Sequence, residues 1–305
     1  MAATLAQQQQ VRISVRNLSD EGLPVGTEVV RAQLSASEDW SEACNGVRTV
    51  VHCAARVHIM NDQAADPISE FRHINVEGTL NLAQQSAAAG VKRFIFLSSI
   101  KVNGDQTEAD RPFTADQLPN PNDPYGISKM EAEEGLRALS QETGMEVVII
   151  RPPLVYGPGV KGNFQAMMSW LWRGVPLPLG WVTENRRSLV FLDNLVDLII
   201  TCIDHPAAGN QTFLVSDDED LSTAALLRRT AAGLGRPARL APVPVGLILL
   251  AAKLIRRPNI AQRLCGSLQV DIGKAKQLLG WVPPVSVDEG VRITGERWIK
   301  AEGLR

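Results

Sequence analysis

The sequence predicts an α/β fold, a doubly wound parallel sheet followed by a smaller C-terminal lobe, on three observations. Short apolar runs alternate with helical stretches through the first half, those stretches carry end signals, and the rhythm changes after Pro158. Strand–helix–strand alternation calls for parallel strands covered on both faces, because each helix carries the chain back to the same end of the sheet.

Taken in order, residues 11–15 alternate apolar and polar with a period of two, as a half-buried strand does. Residues 49–53, 93–97 and 146–150 are continuous apolar runs that read as buried strands, the last stopped by Pro152-Pro153. Between them, residues 70–89 closed by Gly90 and residues 124–143 closed by Gly144 read as helices, since glycine accepts the left-handed turn that ends a helix. Beyond Pro158, prolines and glycines become frequent and Trp170, Trp172 and Trp181 gather, read as packing for a lobe. Strands are expected at 188–192 and 212–215 and helices at 193–204 and 222–234. The boundaries follow: residues 1–158 form a first domain, with 188–216 returning to it, and 159–305 mainly a second lobe.

The chain has 305 residues, enough for one large α/β unit with a lobe, and a net charge of −2 gives no electrostatic reason to bind nucleic acid. Cys44, Cys53, Cys202 and Cys265 are scattered, which gives no zinc motif and suits a reducing, cytoplasmic compartment. Residues 1–10 lack a basic stretch followed by an apolar one, so no secretory signal is read there. The greasiest segment, 243–255, is interrupted by Pro244 and Lys253 and is shorter than the roughly 20 apolar residues a span requires. A buried or partner-facing helix is the reading, ahead of contact with a membrane surface.

Chemistry concentrates in Tyr125-Gly-Ile-Ser-Lys129, with Ser98-Ser99 upstream. Residues four apart share a helix face, so Lys129 can lie beneath the Tyr125 phenol and favour its ionised form. Ser99, at the carboxyl end of a strand, can hold a carbonyl or alcohol oxygen beside it; Ser98 is the competing hydroxyl. Together they suit proton transfer coupled to hydride transfer at a carbon–oxygen bond. His52 has no partner at metal-ligand spacing among His58, His73 and His205, so it reads as a satisfied structural histidine.

Several segments, in order, resemble the extended short-chain dehydrogenases, and within them the NAD-dependent epimerase/dehydratase group. They are Val51-His-Cys-Ala-Ala55, Asn75-Val-Glu-Gly-Thr-Leu-Asn-Leu82, Phe94 through Gly104, Tyr125 with Lys129, Arg151 through Gly159, Arg187 through Asp193, and Leu279-Gly-Trp-Val-Pro283. The resemblance implies a Rossmann-type domain with Ser99, Tyr125 and Lys129 as catalytic residues. It assigns Arg16, Ala54, Ala55, Arg56, Asn75, Lys129, Pro152 and Val155 to an NAD or NADP coenzyme. It places Ser99, Asn163, Arg187 and Arg263 on the substrate, the arginines gripping a diphosphate as planar guanidinium groups do, and it implies a homodimer. Asn163 reads equally as a helix cap.

The chain departs from that pattern at its beginning. The family opens with a strand and a glycine-rich loop that cradles the coenzyme diphosphate, yet the first glycine here is Gly22. The expectation is therefore a chain truncated at its N-terminus, lacking the first strand and loop, roughly 15 to 20 residues. Arg16-Asn17 stands where NAD enzymes carry an acidic residue, which is compatible with NADP.

The resemblance implies oxidoreduction at C4 of a nucleoside-diphosphate sugar, UDP-linked, as a 4-epimerase or 4-ketoreductase serving surface-polysaccharide synthesis. Ile100-Lys101 follows Ser99 where sugar dehydratases carry Asp-Glu, which disfavours dehydration. Two rival readings are a carbonyl reductase acting on apolar ketones and an inactive member that serves as a binding protein.

Overall fold

The computed structural model describes residues 1–7, 9–16, 24–57, 66–108, 110–254 and 258–304. Asn17, Gly22 and His58 lie outside the described residues.

A short helix α1 (Ala2–Leu5) precedes β1 (Arg12–Val15), which pairs in parallel with β2 (Glu28–Arg31). After the single turn α2 (Ser41–Cys44) comes β3 (Thr49–His52), and then α3 (Pro67–Phe71) and α4 (Thr79–Ala88), joined by a π-helical segment over Arg72–Gly78. β4 (Arg93–Leu97), α5 (Pro124–Thr143) and β5 (Glu146–Arg151) complete the first half. β6 (Leu154–Tyr156), α6 (Gly162–Trp172), β7 (Leu189–Phe191), α7 (Leu192–Asp204) and β8 (Thr212–Leu214) follow. The chain ends with α8 (Thr223–Gly233), α9 (Val245–Leu254), α10 (Pro258–Cys265), α11 (Gly273–Leu279) and α12 (Val287–Ala301).

The main ladder is parallel, in the order β3-β4-β5-β8. Its two faces can be read from a period of two. Phe94, Phe96, Val147 and Ile149 join the core beneath α4 and α5, while Ile95, Val148 and Ile150 join the one beneath α7 and α11. β8 thus returns residues 212–214 to this sheet. β6 and β7 pair separately, and a third core of Phe164, Met168, Leu227 and Val291 fills the lobe among α6, α8 and α12.

β1 and β2 form a ladder of their own, not hydrogen-bonded to β3. A cavity of about 1630 Å³ lies between the two, lined by Ile13 and Ser14 on one side and Thr49 to His52 on the other. The expected loss of a first strand is not supported, since the strand order opens with β1 at Arg12–Val15. What distinguishes the sheet is this break.

Three local expectations are corrected. The helix predicted over 70–89 begins at Pro67 and is not uniform, because the wider π turn rotates Asn75 onto the loop after β3. Segment 243–255 holds α9 at Val245–Leu254, in which only Ala252 is buried, so of the buried and partner-facing alternatives the first falls away. Of the tryptophans, Trp172 packs edge-on to Trp298, but Trp170 and Trp181 are exposed.

Candidate active site

Tyr125 is placed by the start of α5. Asp123 caps this helix by accepting from the Gly126 N–H at 2.7 Å, Pro124 occupies its first position, and Gly144 closes it at φ 74°. A Cβ on Gly126 would meet the Lys101 carbonyl at 2.9 Å and Pro121 at 3.1 Å, so only glycine lets α5 rest on the turn after β4. Lys101 secures the same junction through ion pairs to Asp105 and Asp123. Across it, the Ser99 hydroxyl, which accepts from the Lys101 N–H at 3.2 Å, faces Tyr125 and offsets part of the rise in pKa that burial causes there.

The two serines divide their work. Ser98 is buried and donates to Glu133 Oε1 at 2.6 Å, whereas Ser99 is partly exposed and faces Tyr125. Glu133 lies one turn beyond Lys129, fully buried, and receives Arg151 at 2.8 and 2.5 Å and Arg137 at 2.9 Å. Burial pushes its carboxyl up, yet the bonds and charge from Arg151, Ser98 and Arg137 outweigh that and hold it below the usual range. Arg151 also donates to Asn103 Oδ1 at 2.9 Å, so this network locks the carboxyl ends of β4 and β5 to α5.

The Lys129 side chain packs against Phe96 of β4. Its ammonium is buried, lies 3.9 Å from the centroid of the Phe96 ring, and has the Glu133 carboxylate as its main favourable charge. Burial pulls its pKa down to about 7, against which Glu133 works. Tyr125 is correspondingly not primed toward ionisation: burial raises its pKa, the Ser99 hydroxyl offsets this in part, and Asp123 adds to the rise.

Arg16, Ala54, Ala55 and Arg56 all line the cavity between the ladders. Asn75 does not: fully buried, it accepts from the Arg56 N–H at 2.8 Å and donates to the Arg56 carbonyl and to Ser128 Oγ, each at 3.0 Å. It therefore shapes the loop after β3 and, through Ser128, which donates to the Tyr125 carbonyl, ties that loop to α5. Pro152 is buried and accepts from the Ile100 N–H at 3.0 Å, which joins the Ser99 turn to the end of β5; Val155 follows on β6. The cavity exceeds the roughly 300–1,000 Å³ of ordinary ligand pockets and has room for a dinucleotide. Ser99, Tyr125 and Lys129 do not line it.

His52 is 4 % exposed, and its Nε2 shares a 3.0 Å hydrogen bond with Thr79 Oγ1. Burial, helped by the Lys129 charge, drives its pKa down to about 3, so it is neutral and structural. Arg187 and Arg263 are brought together: Arg187 Nη1 donates to the Arg263 carbonyl at 2.9 Å and to Gly266 at 3.2 Å. Burial, and then Arg263, lower the Arg187 pKa. Asn163 is exposed in the first turn of α6, whose cap is Lys161, so the capping alternative falls away. Sequence reasoning missed Glu133, Arg151 and Asn103; the one available signal was a charge on α5 a single turn after Lys129.

The chain is similar to several known proteins. A UDP-glucose 4-epimerase of Vibrio cholerae is 50% identical over 268 residues, spanning 88% of this chain and 82% of that protein. Two solved structures share the fold. One is a UDP-glucose 4-epimerase with UDP-glucose from Thermotoga maritima, with a TM-score of 0.74 and 22% identity over 98% of this chain and 94% of that one. The other is a short-chain dehydrogenase/reductase superfamily protein from Agrobacterium tumefaciens with bound NAD, with a TM-score of 0.74 and 24% identity over 99% and 94%. Such coverage does not support the expected truncation. The model of the NAD dependent epimerase/dehydratase family matches residues 1–216, which hold both ladders and the Ser99–Tyr125–Lys129 group, and the chain belongs to that family.

Proposed function

We propose that the protein is an NAD-dependent epimerase that inverts C4 of UDP-glucose or a close UDP-sugar. The observation that carries the reading is the 50% identity to a UDP-glucose 4-epimerase across 268 residues, with the Ser99–Tyr125 pair assembled. It narrows the earlier choice between epimerase and ketoreductase, and between NAD and NADP, to the first of each.

Bound NAD supplies the acceptance and return of hydride at the sugar carbon. Ala54, Ala55 and Arg56 would flank it in the cavity, Arg16 would approach its ribose, and Pro152, Val155 and Lys129 would hold its nicotinamide end. Tyr125 takes the proton of the C4 hydroxyl and gives it back, and Ser99 holds that oxygen in reach. Lys129 acts when protonated, its charge favouring phenolate as the proton moves. Arg187 and Arg263 hold the diphosphate and Asn163 the neighbouring sugar-phosphate; their convergence on the lobe favours a charged ligand over an apolar ketone. In this reading residues 1–158 carry the coenzyme and 159–305 the sugar nucleotide, and two copies pair through the helices bearing Asn75 and Tyr125.

Incubating the protein with NAD and UDP-glucose should produce UDP-galactose, visible by NMR, with no net consumption of reduced coenzyme. A single turnover that stops at the keto sugar, or steady consumption of NADH or NADPH, would instead identify a reductase.

A further inference from the structure

α9 is apolar on both sides. Val245 and Ile248 pack against the lobe core and Ala252 is buried, while Leu247, Leu250 and Leu254 are 57%, 54% and 76% exposed. At about 100° per residue the two triplets lie on opposite faces of the helix. The inward face accounts for the fold; the outward leucines have no partner to bury them within the described chain. Trp181, 55% exposed, flanks the segment leading into α9, because Gly180 donates to the Ala241 carbonyl at 2.9 Å.

Charge separates the possible occupants of this face. Residues 221–270 contain eight arginines and lysines and not one aspartate or glutamate, although the whole chain carries −2. Some of that charge is engaged: Arg229 pairs with Glu219 and Asp288, and Arg236 stacks at 4.1 Å on Trp172. Arg239 and Lys253 remain exposed. A second copy packed on the same face would bring like charges together, whereas an anionic surface complements them. With ten residues, α9 is about 15 Å long, half the hydrocarbon thickness of a bilayer, so it suits lying along a membrane rather than crossing it.

We propose that α9 docks the substrate lobe onto an anionic lipid surface, its leucine face entering the headgroup boundary and the surrounding basic residues facing the lipid phosphates. The inference is independent of the reaction catalysed.

Flotation of the full chain with vesicles tests it. The protein should rise with vesicles of phosphatidylcholine and phosphatidylglycerol, less so at high salt, and poorly with phosphatidylcholine alone. Leu250→Ser/Leu254→Ser should cut recovery by about tenfold, and Lys253→Glu by a few-fold, with unchanged coenzyme binding as the check on folding. Failure of the unaltered protein to float with anionic vesicles would overturn the proposal, as would leucine variants that float equally well. Dimerisation abolished by the same leucine changes, without vesicle capture, would give the face to a second copy and overturn it too.

Discussion

Tyr125 sits where burial resists its ionisation, edge-on to the Phe71 ring at 6.1 Å and beside Ser99. A phenol so placed is useful only if the proton leaves as the sugar oxygen needs it, so removing the hydroxyl should strike the chemical step. Tyr125→Phe is expected to lower kcat by about 10²–10⁴-fold with coenzyme affinity unchanged, as single-turnover kinetics and a coenzyme titration can check. His52 makes a different residue-scale prediction. The unfolded chain takes up its proton near pH 6.5, while the fold refuses it until about pH 3. Between those values the unfolded state binds more protons, so stability falls as pH drops through that window, by up to about 1.4 kcal/mol per pH unit. His52→Gln should flatten that slope in urea unfolding carried out at several pH values. That His52 was structural could be read from its isolation in sequence; its partner Thr79 could not, because the two meet only when β3 packs on α4.

At the scale of elements, α5 is the organiser. Its cap and closing glycine are printed in the sequence as Asp123-Pro124 and Gly144, which is why its limits were legible. Its buried face was not, because Glu133 looks like any helical surface charge until β4 and β5 bring Ser98 and Arg151 onto it. Breaking that pair leaves a buried guanidinium uncompensated, so Glu133→Ala should cost about 3–5 kcal/mol in denaturant unfolding. The milder Glu133→Gln removes a charge that helps keep Lys129 protonated near pH 7. Since activity needs protonated Lys129, kcat/KM should fall as pH rises past that pKa, and the falling limb should begin at lower pH in Glu133→Gln. The junction of α5 with the turn after β4 carries a further prediction. Gly126→Ala places a methyl 2.9 Å from the Lys101 carbonyl and must prise the helix from the turn. Separating Tyr125 from Ser99 in this way should cost about 10²-fold in kcat, with little change in affinity for UDP, measured by inhibition.

Over the whole molecule, the four-stranded ladder was foreseen strand by strand, because apolar runs bounded by breakers leave little choice. The break beside β1 was not, since no local pattern records which strand edges meet. Nor did sequence alone show the outward face of α9, which is as greasy as its inward one. The cavity at the break holds four of the predicted coenzyme residues, so coenzyme and fold should stabilise each other. NAD at a hundred times its Kd should add about 2.7 kcal/mol to unfolding stability, visible as a raised Tm.

The divided sheet has a consequence for how the molecule comes apart. Strands β1 and β2 are held to the remainder by side chains such as Arg12, which donates to the carbonyls of Glu42, Ala43 and Asn45, and not by backbone pairing across the cavity. That subunit of structure can detach at a fraction of the global unfolding free energy, as a separate foldon. Amide exchange would then register two tiers of protection, and protease would nick the N-terminal ladder first while the β3–β8 body stays closed.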